Sequence, residues 1–132
     1  MKKILLMVIM CVIALAASAQ TNDCVEVIYF HGKQRCPTCM AIEKHAREVV
    51  EHDFASQKKL GKVKFMVIDI NSAEGRKIAK DYRVSYSSLF LNSRRGGKQS
   101  RTDITRFAFK NARKHTDVFK KEIAHKINEL LK

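Results

Sequence analysis

The chain has 132 residues, 45% of them hydrophobic, and a formal net charge of +13 from 26 Lys and Arg against 13 Asp and Glu. That length suits one domain with one core and excludes a large multidomain assembly. A single proline, no repeat and no Pro/Gly/Ser-rich run exclude a chain built from linkers or low-complexity tracts.

Lys2 and Lys3 precede an unbroken apolar run from Ile4 to Ala17, and Ala17-Ser18-Ala19 follows. A charged start, an apolar middle and small residues at the end are the order of a secretory signal peptide. The apolar run has 14 residues. A bilayer-spanning helix needs roughly 20, so no stable transmembrane anchor is expected. Cleavage after Ala19 leaves residues 20–132 as one domain, with Gln20 first and a formal charge of +11. The expected address is the periplasm or cell envelope, where nucleic acid is not an expected partner. A basic surface there suits acidic partners or a membrane surface. Cys11 goes with the leader. Cys24, Cys36 and Cys39 remain, an odd number outside the cytosol. Cys24 therefore reads as a tolerated free thiol, or more sharply as a third ligand or a regulatory thiol.

Val25 to Phe30 is apolar on nearly every position and reads as a central, covered strand. A short basic loop follows, and then Cys36-Pro37-Thr38-Cys39 opens a helix expected to run to about Phe54. Pro37 suits a first helical turn, where its missing N–H costs nothing. Ile42, Ala46, Val49 and Val50 share one helical face with Cys39. Cys36 lies at the rim, beside the unpaired N–H groups and positive dipole end of the helix, with Lys33 and Arg35 adding charge. Its thiolate is therefore favoured and its pKa lowered. An exposed attacker with a sheltered resolving partner is what a redox dithiol requires. His45 and His52 fall on the outward face with Glu48 between them and read as solvated. Half of a structural zinc site is the competing reading, but no second ligand pair of matching spacing is present.

Gln57 to Lys62 reads as a polar connection and Val63 to Ile70 as a second strand, again apolar on both sides. A helix crossing between two such strands implies parallel pairing. Asn71 with Glu74 marks a helix start, and a short helix to about Asp81 buries Ile78, Ala79 and Tyr82. Val84 to Leu91 leads into a third strand. Ser93-Arg94-Arg95-Gly96-Gly97 is a hairpin turn, and Lys98 to Thr102 returns antiparallel. Asp103 caps a helix presenting Ile104, Phe107, Ala108 and Ala112. Thr116 starts the last helix, with Phe119, Ile123, Ile127, Leu130 and Leu131 on one face.

The strand, loop, Cys-Pro-Thr-Cys and helix, with the element order that follows, resemble the thioredoxin-like fold. The resemblance covers nearly all of residues 20–132, with one extra helical segment before the final helix. It implies an α/β fold, a central mixed four-stranded sheet flanked by helices. It also implies a thiol–disulfide oxidoreductase in which Cys36 and Cys39 form the redox disulfide, supported by Pro37 and Thr38. The implied partners are protein or small-molecule disulfides and a redox partner protein, with no cofactor. The chain also resembles small exported Cys-Pro-Thr-Cys proteins named as nitrophenyl compound nitroreductase subunits, a family name associated with arsenic-resistance genes. Nothing in the sequence resembles a flavin or nicotinamide site.

Two family features are missing. Ser87 stands where the family carries a cis-proline facing the dithiol. A cis bond before serine would cost about 3–4 kcal/mol, so a trans Tyr86–Ser87 peptide is expected. That changes the surface opposite Cys36, where family substrates dock, and removes a group that keeps metals away. The buried acid many thioredoxins carry on the first strand is also absent: Val27 and Ile28 hold the matching positions, and Glu26 lies on the wrong side of the alternation. Tyr29 and His31 are candidates for a local proton relay, or simply a core aromatic and a loop residue. The alternative function is a dithiol-based soft metal or metalloid binder using Cys36 and Cys39, with Cys24 or His31 as an optional further ligand. A third is an interaction module whose dithiol is structural.

Overall fold

The computed structural model describes residues 22–132. The signal peptide read at 1–19, with Cys11 in it, lies outside the described residues. Strand β1 (Cys24–His31) leads to helix α1 (Pro37–Glu48), a π turn (Val49–Asp53) and the short helix α2 (Ala55–Lys59). Strand β2 (Val63–Asp69), helix α3 (Ala73–Tyr82), strand β3 (Ser88–Arg95) and strand β4 (Lys98–Asp103) follow. Helices α4 (Thr105–Asn111) and α5 (Thr116–Leu131) complete the chain.

The four strands form one mixed sheet in the order β2-β1-β3-β4. β1 and β2 are parallel, in register from Val25 opposite Val63 to His31 opposite Asp69. β3 runs antiparallel to both β1 and β4. Alternation along β1 divides the interior in two. Val25, Val27 and Tyr29 face the larger cluster, with Ile42 and Ala46 of α1, Leu89 and Leu91 of β3, and Phe119, Ile123 and Ile127 of α5. Ile28 and Phe30 face the smaller one under α3. There the rings of Phe30, Tyr82 and Phe90 meet tilted or edge-on, with centroids 5.2–5.8 Å apart.

β1 is central and buried, as its sequence suggests. β2 is not covered on both sides. It pairs only with β1 among the described residues, and Met66 and Val67 are exposed. An apolar strand composition does not say how many neighbours the strand has. The helix expected to reach Phe54 stops at Glu48, and the π turn takes over. That wide turn keeps Val49, Val50 and Phe54 buried while Glu51, His52 and Asp53 stay in solvent. Part of the expected 57–62 connection is helical, as α2.

α3 begins one residue later than expected. Ser72, not Asn71, caps it, its hydroxyl accepting the N–H of Gly75 at 2.9 Å. Gly75 allows the helix to lie against the end of β2, because a Cβ there would sit 1.8 Å from the Asp69 carbonyl oxygen. β3 and β4 continue to Arg95 and from Lys98, so the turn is only Gly96-Gly97. Both glycines have positive φ, 57° and 78°. That is the twist a two-residue hairpin requires. Ile104, not Asp103, is the residue that precedes α4, though the Asp103 carboxylate accepts the Thr105 N–H at 2.9 Å.

Candidate active site at the start of helix α1

Parallel pairing of β1 and β2 brings α1 back across the sheet, so its N-terminus sits at the C-terminal end of β1. Cys36 is the residue that caps it, in extended conformation, with Pro37 as the first helical residue. Cys36 and Cys39 form a disulfide with Cα atoms 5.0 Å apart. The Cys36 Sγ accepts the N–H of Cys39 at 3.0 Å. Cys36 is exposed and Cys39 is 6% exposed. The first turn of α1 holds no acid. A negative charge on the Cys36 sulfur therefore meets a backbone donor and the helix dipole, with no carboxylate opposing it in that turn.

Arg35 contributes less free charge than its sequence position suggests. Its guanidinium pairs with Glu43, which Arg47 also holds at 3.0 Å. Lys33 is exposed in the loop.

Tyr29 is the group on β1 that reaches the dithiol, rather than Val27 or Ile28. Its phenol is fully buried and donates to the Cys39 carbonyl at 2.9 Å. Burial pushes its pKa up, opposed by hydrogen bonding with Ser87 and by the Arg35 charge. The ring therefore stays a protonated donor. Ser87 is buried and close enough to this phenol to oppose the rise in its pKa. No peptide is cis among the described residues, and Tyr86–Ser87 is trans as expected. His31 stacks near the Tyr29 ring and donates from Nδ1 to the Gly32 carbonyl at 3.1 Å. Thr38 is half-buried in the first turn.

The three-cysteine metal site is overturned. Cys24 opens β1 and the dithiol follows its far end. Seven residue steps at about 3.3 Å separate the two ends of the strand by roughly 23 Å, far beyond any shared ion. No group of three or more His, Cys, Asp or Glu able to hold a metal occurs among the described residues, with His31 or without it. Cys24 is instead a free, buried thiol whose Sγ lies 3.8 Å from the Glu26 carboxylate. Burial raises its pKa, and the Glu26 charge adds to that.

Glu26 is on the face opposite Tyr29, as its place in the alternation requires. What the sequence did not reveal is its company. Its carboxylate accepts from Asn92 at 3.1 Å and from Arg94 at 2.7 Å. The signal available was a lone acid in an apolar strand. His45 is likewise not simply solvated: it bonds Glu48 at 2.9 Å, and Lys120 of α5 meets the same oxygen at 2.6 Å.

A mixed sheet of this order, with a helix-capping dithiol at the C-terminal end of its central parallel strand, is a thioredoxin-like fold. No protein-family model and no curated protein matches the chain. Among solved structures it is similar to the solution structure of a thioredoxin from Thermus thermophilus, with 17% identity and a TM-score of 0.49. That alignment covers 77% of this chain and 72% of the other. No helix of the described residues is long and apolar enough to cross a membrane.

Proposed function

We propose that the protein is a thiol–disulfide oxidoreductase of the cell envelope. The observation that carries this reading is the disulfide at the α1 N-terminus, with the Cys36 sulfur exposed and hydrogen-bonded and Cys39 buried behind it. In the reduced protein the Cys36 thiolate attacks one sulfur of a substrate disulfide. A mixed disulfide forms and the first substrate thiolate leaves. Cys39 then gives up its proton and attacks the Cys36 sulfur, closing the internal disulfide and expelling the second substrate thiolate. Two electrons pass to the substrate, whose thiolates take up protons. Run backwards, the same steps oxidise a dithiol. A redox partner protein resets the pair in either direction.

The test uses the reduced full chain and a small disulfide. Mass spectrometry should show loss of two hydrogens in step with substrate reduction, and Cys39→Ser should accumulate the mixed disulfide on Cys36. Alkylation of Cys36 should titrate below the roughly 8.5 of free cysteine. No exchange, together with ordinary alkylation, sinks the reading.

Export rests on the Lys2-Lys3, apolar run and Ala17-Ser18-Ala19 pattern, with residues 20–132 as the mature domain. Sequencing the protein recovered from cells should give Gln20 first, and an intact Met1 would overturn it. Membership of the exported Cys-Pro-Thr-Cys group named for nitroreductase subunits is supported by the motif, the size and the leader alone.

A further inference from the structure

Helix α4 is the extra segment that the exchange chemistry leaves unexplained. It buries Thr105, Ala108 and Asn111 and turns Arg106, Phe109 and Lys110 outward. That spacing of three and one residues is a single helical face. Arg113 and Lys114 follow, exposed, in the turn, and Val118 and Lys121 continue the exposed surface onto α5. None of Arg106, Lys110, Arg113, Lys114 or Lys121 joins an ion pair among the described residues. The neighbouring acids do little to offset them. Asp103, which accepts the Thr105 N–H, and Asp117 are two exposed carboxylates against these five cations. Within this cationic field two apolar side chains stand in solvent, Phe109 at 37% exposure and Val118 at 52%.

Two hydrogen bonds tie the start of α4 to the beginning of β3. The Ile104 N–H donates to the Leu89 carbonyl at 3.0 Å, and the Leu89 N–H donates to the Thr105 hydroxyl at 3.0 Å. Leu89 pairs across the sheet with Tyr29, whose phenol donates to the Cys39 carbonyl. α4 also packs against α1, the helix that Cys36 caps.

We propose that α4 and the start of α5 form a docking surface for an acidic protein partner, steering its disulfide or dithiol onto Cys36. This rests on the exchange reading above and adds the partner's chemistry to it. Unpaired cations next to a reactive centre raise encounter rates with anionic partners by tenfold or more, at low salt. The exposed Phe109 then supplies an apolar anchor inside the charged rim. A lipid surface suits the patch less well, because this face of a seven-residue helix offers one large apolar side chain for insertion.

The test compares exchange by the reduced full chain with short disulfide-closed peptides, acidic, neutral and basic, and with uncharged hydroxyethyl disulfide. The acidic peptide should react about tenfold faster than the basic one at low ionic strength, and the gap should close as salt rises. The variant Arg106→Glu/Lys110→Glu/Arg113→Glu should abolish that preference and leave the hydroxyethyl disulfide rate unchanged. A control with the same charge change at the other end of the sheet, Lys59→Glu/Lys62→Glu/Lys98→Glu, should keep it. Equal loss in both variants would make net charge the cause and overturn the docking surface. So would tighter binding to phosphatidylglycerol vesicles than to the acidic peptide. Calorimetric binding of an acidic peptide with serine in place of cysteine is read separately. If it binds and the triple variant does not, while no disulfide reacts, the docking surface stands and the exchange reading falls. If disulfides react without regard to charge, the reverse holds.

Discussion

The cysteine that opens β1 and the one that follows its far end stand under opposite conditions. At the C-terminal end the chain leaves the sheet and Cys36 emerges into solvent at a helix start, with a backbone N–H on its sulfur. At the N-terminal end Cys24 is 6% exposed and points its thiol at the Glu26 carboxylate. Positive dipole and water favour a thiolate in the first place, and burial with a neighbouring anion opposes one in the second. The same residue type is thus placed to attack just past one end of the strand and to fill space at the other. Reactivity follows from what the strand delivers the sulfur to, and counting cysteines does not reveal it.

Removing each sulfur in turn is the largest test of that contrast. Cys36→Ser should lower disulfide exchange by at least about a thousandfold, since the exposed attacking sulfur is gone and Cys39 is buried. Cys24→Ser should leave the rate within about twofold, because nothing connects it to the dithiol across roughly 23 Å of strand. An iodoacetamide pulse on the reduced native protein should label Cys36 and spare Cys24. Labelling of both at similar rates would erase the distinction.

The Glu26 cluster tests the inert end through stability. Glu26 is buried and takes hydrogen bonds from Asn92 and Arg94, and Asn92 already has an unpartnered buried Oδ1. Glu26→Ala should cost about 2 kcal/mol in urea unfolding, chiefly from the stranded Asn92 amide, since half-exposed Arg94 can turn to water. Exchange per folded molecule should not change. At the reactive end Tyr29→Phe removes one hydrogen bond to the Cys39 carbonyl and should cost about 1 kcal/mol. There the rate should respond as well, because the bond anchors the turn that aims the Cys39 N–H at the Cys36 sulfur.

Much of this frame is written in apolar spacing. Val25 to Phe30 and the Phe119, Ile123, Ile127 stripe identify the central strand and the last helix, and a crossing helix dictates the parallel pair. The distance that separates Cys24 from the dithiol was legible too: an extended run from Val25 to Phe30 between them already precludes a shared ion. Other features depend on contacts that sequence order does not display. Asn71 and Ser72 are equally good caps, and the Gly75 approach to the Asp69 carbonyl accompanies the choice of Ser72. The edge position of β2 depends on how many strands lie beside it. Tyr29 reads as a core aromatic until the helix folds back and places the Cys39 carbonyl over its hydroxyl.

Glu48 offers the smallest and most discriminating probe, a charge governed by partners rather than by burial. It lies at the other end of the helix that Cys36 begins. The Lys120 ammonium, and then His45, hold its carboxyl down to about 2, from an ordinary 4.5. The folded-state pKa is the depressed one, so the unfolded chain binds the proton first. The contact therefore stabilises the fold in full above about pH 4.5 and is lost as the pH falls toward 2. The carboxylate is close to solvent, which screens it, so the contribution should stay below about 1 kcal/mol. Urea unfolding of wild type and Glu48→Gln across that range isolates it, because every other carboxylate cancels in the difference. The two stabilities should converge as the solution is acidified, and Lys120→Met should flatten the wild-type curve in the same window. A difference that persists unchanged to pH 2 would mean that Glu48 acts through packing, leaving partner control of ionisation unsupported along this helix.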